Sequence, residues 1–295
     1  MSDSSKRLFC FGLGYSARRL AAELKPAGWH ISGTCRSEEA AADWAKDGIE
    51  AQLFDGTAPM TPMPRNFFEA THILSSVPPS PEGDSVLACH GADIASQSHF
   101  EWVGYLSTTG VYGNRDGGWV DEESARTPTG DRGRRRVAAE DAWLDLWHAN
   151  QIPVHLFRLA GIYGPGRNAL ETVRKGRARR IDKPGQVFSR IHVDDIAQIL
   201  LASIAAPDPG QAYNVCDDEA AAPEEVIAYA CELLAVEAPP LVPFENAELS
   251  DMARSFYADN KRVSNSRIKN ALGVRLQWDN YRAGLKGLLD DSLSC

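Results

Sequence analysis

Two glycines and one small residue stand between the first apolar run of the chain and its first helical segment, as Gly12-x-Gly14-x-x-Ala17. Gly12 allows a tight turn, Gly14 removes a Cβ from the path of a pyrophosphate, and Ala17 lets the helix pack closely on the strand. The helix N-terminus then faces the anion. Because the pattern lies between a predicted strand and a predicted helix, it favours a dinucleotide-binding turn over a purely structural one.

The residues that follow the second predicted strand distinguish NAD from NADP. NAD-binding proteins usually carry Asp or Glu there, about 20 residues beyond the glycines, to bind the ribose 2′-hydroxyl. This chain has Thr-Cys-Arg-Ser at residues 34–37. Arg36 offers a fork of donors and Ser37 a hydroxyl to a 2′-phosphate that a carboxylate would repel. The sequence therefore predicts NADP, the alternative being a solvated Arg36 with Glu38 or Glu39 on the ribose. The remaining residues assigned to the cofactor site are Tyr15, Ser16, Asp55, Gly56 and Ser75.

Strand-length apolar runs alternate with helix-period segments, which is the pattern of parallel β-α-β units. Strands are predicted at residues 8–11, 29–34, 49–54, 71–76, 102–107, 154–159 and 212–215, and helices follow the first two and precede the last two. Asp194 is expected to cap the helix that precedes the last strand. The order predicts an α/β protein with a Rossmann-type doubly wound parallel sheet.

The composition changes beyond the last predicted strand, where short helices are predicted at residues 224–234, 266–272 and 281–289. We expect these helices, with residues 164–185, to form a small C-terminal substrate-binding cap over the carboxyl edge of the sheet. The predicted domains are a dinucleotide-binding domain at 1–163 and 186–220 and a smaller substrate-binding region at 164–185 and 221–295. The basic run Arg174–Arg180 lies in the cap. A solvated charged face is favoured for it, and the alternative is an anionic substrate.

Composition and charge exclude several classes of protein. The 295 residues, 43% of them hydrophobic and 24% charged, suit one large α/β domain or a nucleotide-binding domain with a smaller companion. The net charge of -9 disfavours nonspecific nucleic-acid binding. The six cysteines form no zinc-like spacing, which predicts free thiols in the cytoplasm and no metal. No membrane span or signal peptide is expected, and the oligomeric state is left open between monomer and homodimer.

Three further motifs carry a family resemblance. They are STTGVYG at residues 107–113, FRLAGIYGPGR at 157–167 and RIHVDDIA at 190–197. In order and spacing they resemble the extended short-chain dehydrogenase/reductase superfamily of NAD-dependent epimerases and dehydratases. The resemblance covers nearly the whole chain and implies a bound nicotinamide dinucleotide.

The resemblance also implies catalytic positions. Thr108 corresponds to the Ser or Thr that hydrogen-bonds the reacting oxygen, although a strand-end hydroxyl bonded to backbone is an equal alternative. The family uses a Tyr as general acid and, four residues later, a Lys that binds the nicotinamide ribose. Alignment on the Ala-Ala-Glu at 138–140 places Arg132 at the Tyr position and Arg136 at the Lys position, and no Tyr or Lys lies between Gly113 and Ile162. Arg stays protonated and cannot act as that acid, whereas Arg136 could still donate to the ribose.

The residues assigned to substrate binding are Tyr112, Tyr163, Arg167, Arg190 and His192. For the two tyrosines the favoured alternative is packing at strand ends, and for His192 it is a capping or core role. Glu140 is expected to pair with Arg136, one helical turn away.

Three functions are compatible with these observations. The first is an NADP-dependent oxidoreductase acting on a small carbonyl or hydroxyl substrate without the usual Tyr acid, with Thr108 orienting the oxygen. The second is a non-catalytic NADP-binding or redox-sensing protein. The third is an NAD-dependent epimerase or dehydratase of a sugar-like substrate, which Arg36 and the missing Tyr disfavour. The fold cannot decide among them, because function depends on the site.

Overall fold

The computed structural model describes residues 6–293, which form thirteen strands and eleven α-helices. The strands are β1 Arg7–Phe11, β2 His30–Cys35, β3 Glu50–Leu53, β4 His72–Ser75, β5 Trp102–Thr108, β6 Trp119–Val120, β7 Val154–Leu159, β8 Gly161–Tyr163, β9 Arg180–Asp182, β10 Arg190–His192, β11 Ala212–Val215, β12 Leu241–Pro243 and β13 Arg262–Val263. The helices are α1 Tyr15–Leu24, α2 Glu38–Lys46, α3 Arg65–Phe68, α4 Ser85–Ala95, α5 Asp131–Asn150, α6 Ala169–Arg174, α7 Val193–Ala205, α8 Pro223–Leu233, α9 Asp251–Tyr257, α10 Ser266–Asn270 and α11 Tyr281–Leu293.

Seven strands form one parallel sheet in the order β3-β2-β1-β4-β5-β7-β11, with helices on both sides. The predicted Rossmann-type doubly wound α/β fold is thus confirmed. The chain passes from β1 to β2 on one side and later to β4 on the other, so the strand order reverses beside β1. Ligands of doubly wound sheets bind outside the carboxyl ends of the strands at such a point.

Buried aromatic contacts fix the two strands that lead to this edge. In β1, Phe9 and Phe11 make edge contacts with Phe67, with ring centroids 5.6 and 6.0 Å apart. In β5, Tyr105 stacks on Trp143 of α5 at 5.5 Å. All five rings are fully buried. Each such side chain contributes about 1.5–3 kcal/mol by burial, which makes both strands rigid supports for the residues at their ends.

Internal contacts divide the chain into two units. Unit 1 comprises the chain up to Thr108, Arg134–Arg158 and Ala197–Tyr213, and unit 2 comprises Thr109–Gly133, Leu159–Ile196 and the chain from Asn214 onward. Unit 2 contains three two-stranded parallel sheets, β6 with β13, β8 with β10 and β9 with β12. It also has a buried apolar cluster of its own, built around Tyr163, Leu170, Tyr281 and Leu285. The domain boundaries drawn from the sequence stay a prediction.

One predicted helix start is wrong. Helix α7 begins at Val193, one residue before the expected cap Asp194. The ring Nδ1 of His192 accepts a hydrogen bond from the N–H of Asp194 at 3.2 Å, so His192 occupies the capping position. Asp194 lies in the first turn, where a carboxylate interacts favourably with the helix dipole.

None of the helices within residues 6–293 is long and apolar enough to cross a membrane. Over the same range, no group of three or more His, Cys, Asp or Glu side chains is placed to hold a metal ion. Five cysteines are free thiols, and Cys295 lies outside the described residues.

Candidate functional site

The glycine turn follows β1 directly and is held by three hydrogen bonds within unit 1. The N–H of Gly12 donates to Thr34 Oγ1 at 2.9 Å, and the N–H of Leu13 donates to the Thr34 carbonyl at 2.7 Å. Ser76 Oγ donates to the Gly12 carbonyl at 2.6 Å. Gly12 has φ +85°, and a Cβ there would lie 2.8 Å from Ser76 Oγ. The turn therefore requires glycine at this position.

Gly14 lies in open space at the start of α1. Its φ is -109°, which other residues adopt readily, and the nearest heavy atom to a Cβ there would be Ser76 Oγ at 4.0 Å. Gly14 has no side chain to cap the helix, and Ala17 is fully buried under the first turn. A helix N-terminus without a side-chain cap, beside an uncrowded glycine, is the geometry that binds phosphate.

Arg36 follows β2 on the exposed side of the sheet edge. Within the described part of the chain its guanidinium makes no ion pair or hydrogen bond. Ser37 Oγ accepts a hydrogen bond from the N–H of Ala40 at 3.2 Å and so caps α2. The exposed carboxylates Glu38 and Glu39 lie in the first turn of the same helix. A group that could select NADP, Arg36, and groups that could select NAD, Glu38 and Glu39, therefore all lie beside the end of β2.

The other residues assigned to the cofactor site lie after β3 and at the end of β4. Asp55 Oδ1 accepts hydrogen bonds from the N–H and the hydroxyl of Thr57 at 2.9 and 2.7 Å, and these bonds lower the pKa of its carboxyl. Gly56 has φ +84° and packs against Ser85. Ser75 is fully buried and pairs in register with Phe11, the residue before the glycine turn. Ser75 is thus adjacent to the turn.

A buried hydrogen-bonded ion pair lies behind the end of β5, where Thr108 is the last residue. Ser107 Oγ donates to Glu140 Oε1 at 2.6 Å, and Arg158 donates from Nε and Nη2 to Glu140 at 3.1 and 2.9 Å. Ser107, Glu140 and Arg158 are all buried. The expected pairing of Glu140 with Arg136 is wrong, because α5 turns Glu140 toward β5 and β7 instead.

Arg136 lies along β5. Its Nη1 donates to the Leu106 carbonyl at 2.6 Å and to the hydroxyl of Tyr105 at 3.3 Å. Both partners belong to the strand that ends in Thr108. A guanidinium has five donors, so this anchoring leaves others for a ligand. The role of Arg136 toward a ribose stays a prediction.

Arg132 lies in unit 2, near the N-terminus of α5. Its guanidinium lies 5.5 Å from the ring centroid of Phe256. The next residue, Gly133, is crowded, since a Cβ there would be 2.5 Å from Pro128 Cβ and 2.9 Å from the Gly110 carbonyl. The α5 N-terminus therefore packs tightly against the segment that follows Thr109.

The two tyrosines assigned to substrate binding are both buried in unit 2. Tyr112 donates from its hydroxyl to Asn214 Oδ1 at 2.7 Å. The Tyr163 hydroxyl lies 3.5 Å from the Asn280 carbonyl, and its ring makes an edge contact with His192 at 5.1 Å. Burial raises the pKa of Tyr163 far above its ordinary value. A contact of either hydroxyl with substrate stays a prediction.

Two arginines assigned to substrate binding differ in environment. Arg167 is exposed and closes a turn with Gly164 through paired backbone hydrogen bonds. Arg190 donates from Nη1 to the carbonyls of Phe188 and Ala221 at 2.7 and 3.1 Å, and burial lowers its pKa. Arg190 thus holds two backbone segments of unit 2 together.

Most of the basic run Arg174–Arg180 is tied to the protein itself. Arg174 and Lys175 pair with Glu171 at 3.1 and 3.2 Å. Arg179 donates to the carbonyl of Glu248 at 2.6 Å, and Arg180 donates to a carbonyl in the segment before β12. These contacts give the run structural roles within unit 2.

Unit 2 also buries two carboxyl groups that sequence analysis did not single out. Burial raises the pKa of Asp217 to about 8. Burial likewise raises the pKa of Asp195 to about 6, although Asp195 accepts hydrogen bonds from the N–H groups of Gln277 and Trp278 at 2.7 and 3.2 Å. Both groups bind a proton more tightly in the folded chain than in the unfolded chain.

We expect the contribution of Asp217 to the free energy of unfolding to fall as pH rises from about 5 to about 8. The buried His72 and His155, whose pKa values burial lowers to about 4, contribute in the opposite direction below about pH 6.5, so the effect of Asp217 is read from a difference between variants. A carboxyl whose folded pKa exceeds its unfolded value stabilises the fold fully only below the unfolded value, and loses that contribution as pH rises through the folded one. For Asp217 alone the slope is about 1.4 kcal/mol per pH unit inside that window. Urea unfolding at several pH values between about 5 and 8 measures this slope. Relative to the wild type, Asp217→Asn should make the slope more positive by about that amount, while Asp145→Asn, at an exposed site, leaves it unchanged; equal slopes in all three proteins would contradict the assignment.

Comparison with known proteins relates the middle of the chain to one family. A family model described as the NAD dependent epimerase/dehydratase family matches residues 88–216, which include all three motifs. The resemblance inferred from the three motifs is thus confirmed over this range. The chain is 52% identical to a conserved protein of unknown function from Silicibacter pomeroyi DSS, covering 98% of this chain and 99% of that one with a TM-score of 0.90.

More distant relatives share the architecture. The chain is 25% identical over 281 residues to Protein YeeZ of Escherichia coli K12, covering 92% of this chain and 96% of that protein. A dTDP-glucose 4,6-dehydratase from Bacillus anthracis in complex with NAD is 14% identical and superimposes with a TM-score of 0.74, over 98% of this chain and 97% of that one. Members of the epimerase/dehydratase family bind a nicotinamide dinucleotide. The choice between NAD and NADP is a separate question.

Several residues that hold the glycine turn and the end of β5 in place carry no local sequence signal. Thr34 and Ser76 hold the turn through hydrogen bonds that join positions 22 and 64 residues apart. Glu140 and Arg158 pair across 18 residues. Only knowledge of which strands are neighbours would have identified these partners, because no helical or strand period connects them.

Proposed function

We propose that this protein is an NADP-dependent oxidoreductase that acts on a small carbonyl or hydroxyl substrate without a tyrosine acid. The proposal depends above all on Arg36, an exposed guanidinium beside the N-terminus of α2 with no ion pair or hydrogen bond among residues 6–293. A helix N-terminus and a guanidinium together favour a phosphate dianion. The glycine turn and Arg36 directly follow the neighbouring parallel strands β1 and β2, so they lie at the same edge of the sheet.

Different residues of the chain would have different roles near the nicotinamide. When bound, the nicotinamide supplies or accepts the hydride. Thr108, at the end of β5, offers a hydroxyl to the substrate oxygen. Arg136 is anchored on the Leu106 carbonyl and has further donors for the ribose hydroxyls. In carbonyl reduction the proton for the substrate oxygen comes from water or from a donor other than tyrosine, because the guanidinium of Arg132 does not release one at neutral pH.

A second candidate is a protein that holds NADP without turnover, as a binding or redox-sensing module. It is favoured by Arg132, which occupies the position of the family's acid and lies against Phe256. A third candidate, an NAD-dependent epimerase or dehydratase of a sugar-like substrate, is supported by the family and by the exposed Glu38 and Glu39 near the ribose position. All three use a small-molecule ligand.

We expect NADPH to bind more tightly than NADH, and Arg36→Ala to remove the difference. Loss of a charged hydrogen bond to phosphate costs about 1.5–3 kcal/mol, which corresponds to a roughly tenfold to hundredfold weaker affinity for NADPH. Calorimetric titration with both dinucleotides measures these affinities in the wild type and in Arg36→Ala. Arg65→Ala, at an exposed arginine that pairs with Glu69, is the matched control and should leave both affinities unchanged.

The same titrations distinguish the epimerase alternative. If a carboxylate in the first turn of α2 binds the ribose, Glu38→Gln with Glu39→Gln should weaken NADH binding and leave NADPH binding unchanged. Equal affinity of the wild-type protein for the two dinucleotides would contradict NADP selection by Arg36.

A further inference from the structure

A buried tryptophan of α2 reaches the centre of the glycine turn. Trp44 is 2% exposed, and its Nε1 donates to the carbonyl of Leu13 at 3.2 Å. Leu13 is the residue between the two glycines of the turn. A buried indole N–H needs an acceptor, and here that acceptor belongs to the backbone that is expected to lie under the pyrophosphate.

Trp44 is itself held in place by the first turn of α1. The guanidinium of Arg18 lies 4.0 Å from the centroid of the Trp44 ring. Arg18 donates to Asp43 and Asp47, on either side of Trp44 in the chain, at 2.6 and 2.8 Å. The backbone N–H of Arg18 donates to the Gly14 carbonyl at 2.9 Å. The indole is therefore clamped between α1 and the turn.

These contacts fix the orientation of the peptide unit between Leu13 and Gly14. Its carbonyl accepts from Trp44, and its N–H donates to the Gly12 carbonyl at 2.9 Å. Carbonyl and N–H point in opposite directions in a trans peptide, so rotation of this unit would have to break both bonds. A rotated carbonyl would turn its negative end toward a bound phosphate.

We propose that Trp44 is a positioning residue for dinucleotide binding, which keeps the Leu13 carbonyl away from the pyrophosphate. The inference rests on the proposed function, because it assumes that the turn binds a dinucleotide. Pyrophosphate is common to NAD and NADP, so Trp44 acts on both dinucleotides equally. Arg36, which lies between β2 and α2, acts on NADP alone.

Trp44→Phe tests this assignment, because it keeps an aromatic ring in the core and removes the donor, and its loss of ring volume is matched in the control variant. The affinities for NADPH and NADH should both fall by about three- to tenfold, with their ratio unchanged. The matched control is Trp102→Phe. Trp102 is also fully buried in unit 1 and donates from Nε1 to Ser203 Oγ at 3.0 Å, but it lies at the first residue of β5. This control should lose stability without losing affinity.

The outcomes separate the two proposals. Wild-type protein that binds neither dinucleotide overturns the proposed function. Binding by the wild type, with unchanged affinities in folded Trp44→Phe, overturns the role of Trp44 and leaves the proposed function standing. An equal loss of affinity in Trp44→Phe and Trp102→Phe also overturns it, since the effect would then be one of general stability.

A surface variant keeps the test decisive if Trp44→Phe fails to fold. Asp43→Ala with Asp47→Ala removes both acceptors and so releases Arg18 from the clamp, and both carboxylates are half exposed. Removal of two negative charges would by itself favour an anion. Weaker binding of both dinucleotides in this variant therefore supports the positioning role, and unchanged or tighter binding overturns it.

Discussion

Combining Arg132→Tyr with Arg136→Lys is expected to raise carbonyl reduction with NADPH by about 10²–10⁴-fold, or to create it where the wild type has none. The two changes rebuild the acid of the extended short-chain dehydrogenase/reductase superfamily and its lysine partner. A neighbouring ammonium lowers the pKa of a phenol, which brings the new Tyr closer to the working pH. This factor is the contribution of one positioned general acid.

The structure supports the premise that α5 can carry the pair. Residues 132 and 136 are four apart on one continuous helix, so they lie on the same face. Arg136 already donates to the Leu106 carbonyl, and a Lys ammonium can donate to the same oxygen. Arg132 loses only a contact with the exposed Phe256 ring, which a Tyr ring can replace.

Arg132→Phe with Arg136→Lys is the matched control, because it differs from the active design by a single hydroxyl. All proteins are screened against a panel of carbonyl compounds after NADPH binding has been confirmed. Wild-type turnover supports the oxidoreductase proposal, whereas a silent wild type with an active double variant supports the sensor. Silence of both, despite bound NADPH, contradicts the idea that the site lacks only its acid. Activity in the Phe control would assign the gain to Lys alone.

Most of the sheet could be predicted because its strands are buried on both faces. Strands β7 and β11 and helix α2 lie at the predicted residues, and β1 begins one residue earlier. A parallel strand covered by helices is apolar along its whole length, so its sequence signal is continuous. In the glycine turn, the positive φ of Gly12 agrees with the tight turn assigned from spacing, whereas the role of Gly14 toward a pyrophosphate stays a prediction.

The errors arise where a contact depends on tertiary neighbours. Glu140 was assigned to Arg136 by the one-turn rule for helices, yet burial places it with Arg158. A buried carboxylate with a bidentate guanidinium partner outweighs an exposed pair on one helix, because desolvation makes an unpaired charge costly. The sequence likewise does not identify Trp44 as a partner of the turn, because the helical period shows only that this residue lies on an apolar face.

Gly14→Val is expected to abolish dinucleotide binding while leaving the fold intact. At φ -109° a β-branched residue is unstrained, and the nearest atom to the new Cβ is Ser76 Oγ at 4.0 Å. The side chain would instead fill the space through which a pyrophosphate approaches the turn and the N-terminus of α1. We expect affinity for NADPH and NADH to fall by more than about a hundredfold, equivalent to at least ~2.7 kcal/mol.

Gly12→Val provides the contrast that separates binding from folding. Its positive φ and the 2.8 Å approach of a Cβ to Ser76 Oγ predict a large loss of stability at this position, which is one residue before Leu13 in the same turn. Thermal unfolding of the two variants should therefore differ, with Gly14→Val close to the wild type and Gly12→Val well below it. Calorimetry on folded Gly14→Val then measures binding alone. Retained NADPH affinity in that variant would mean that the turn has a structural role only, and the dinucleotide site would have to be sought elsewhere in the chain.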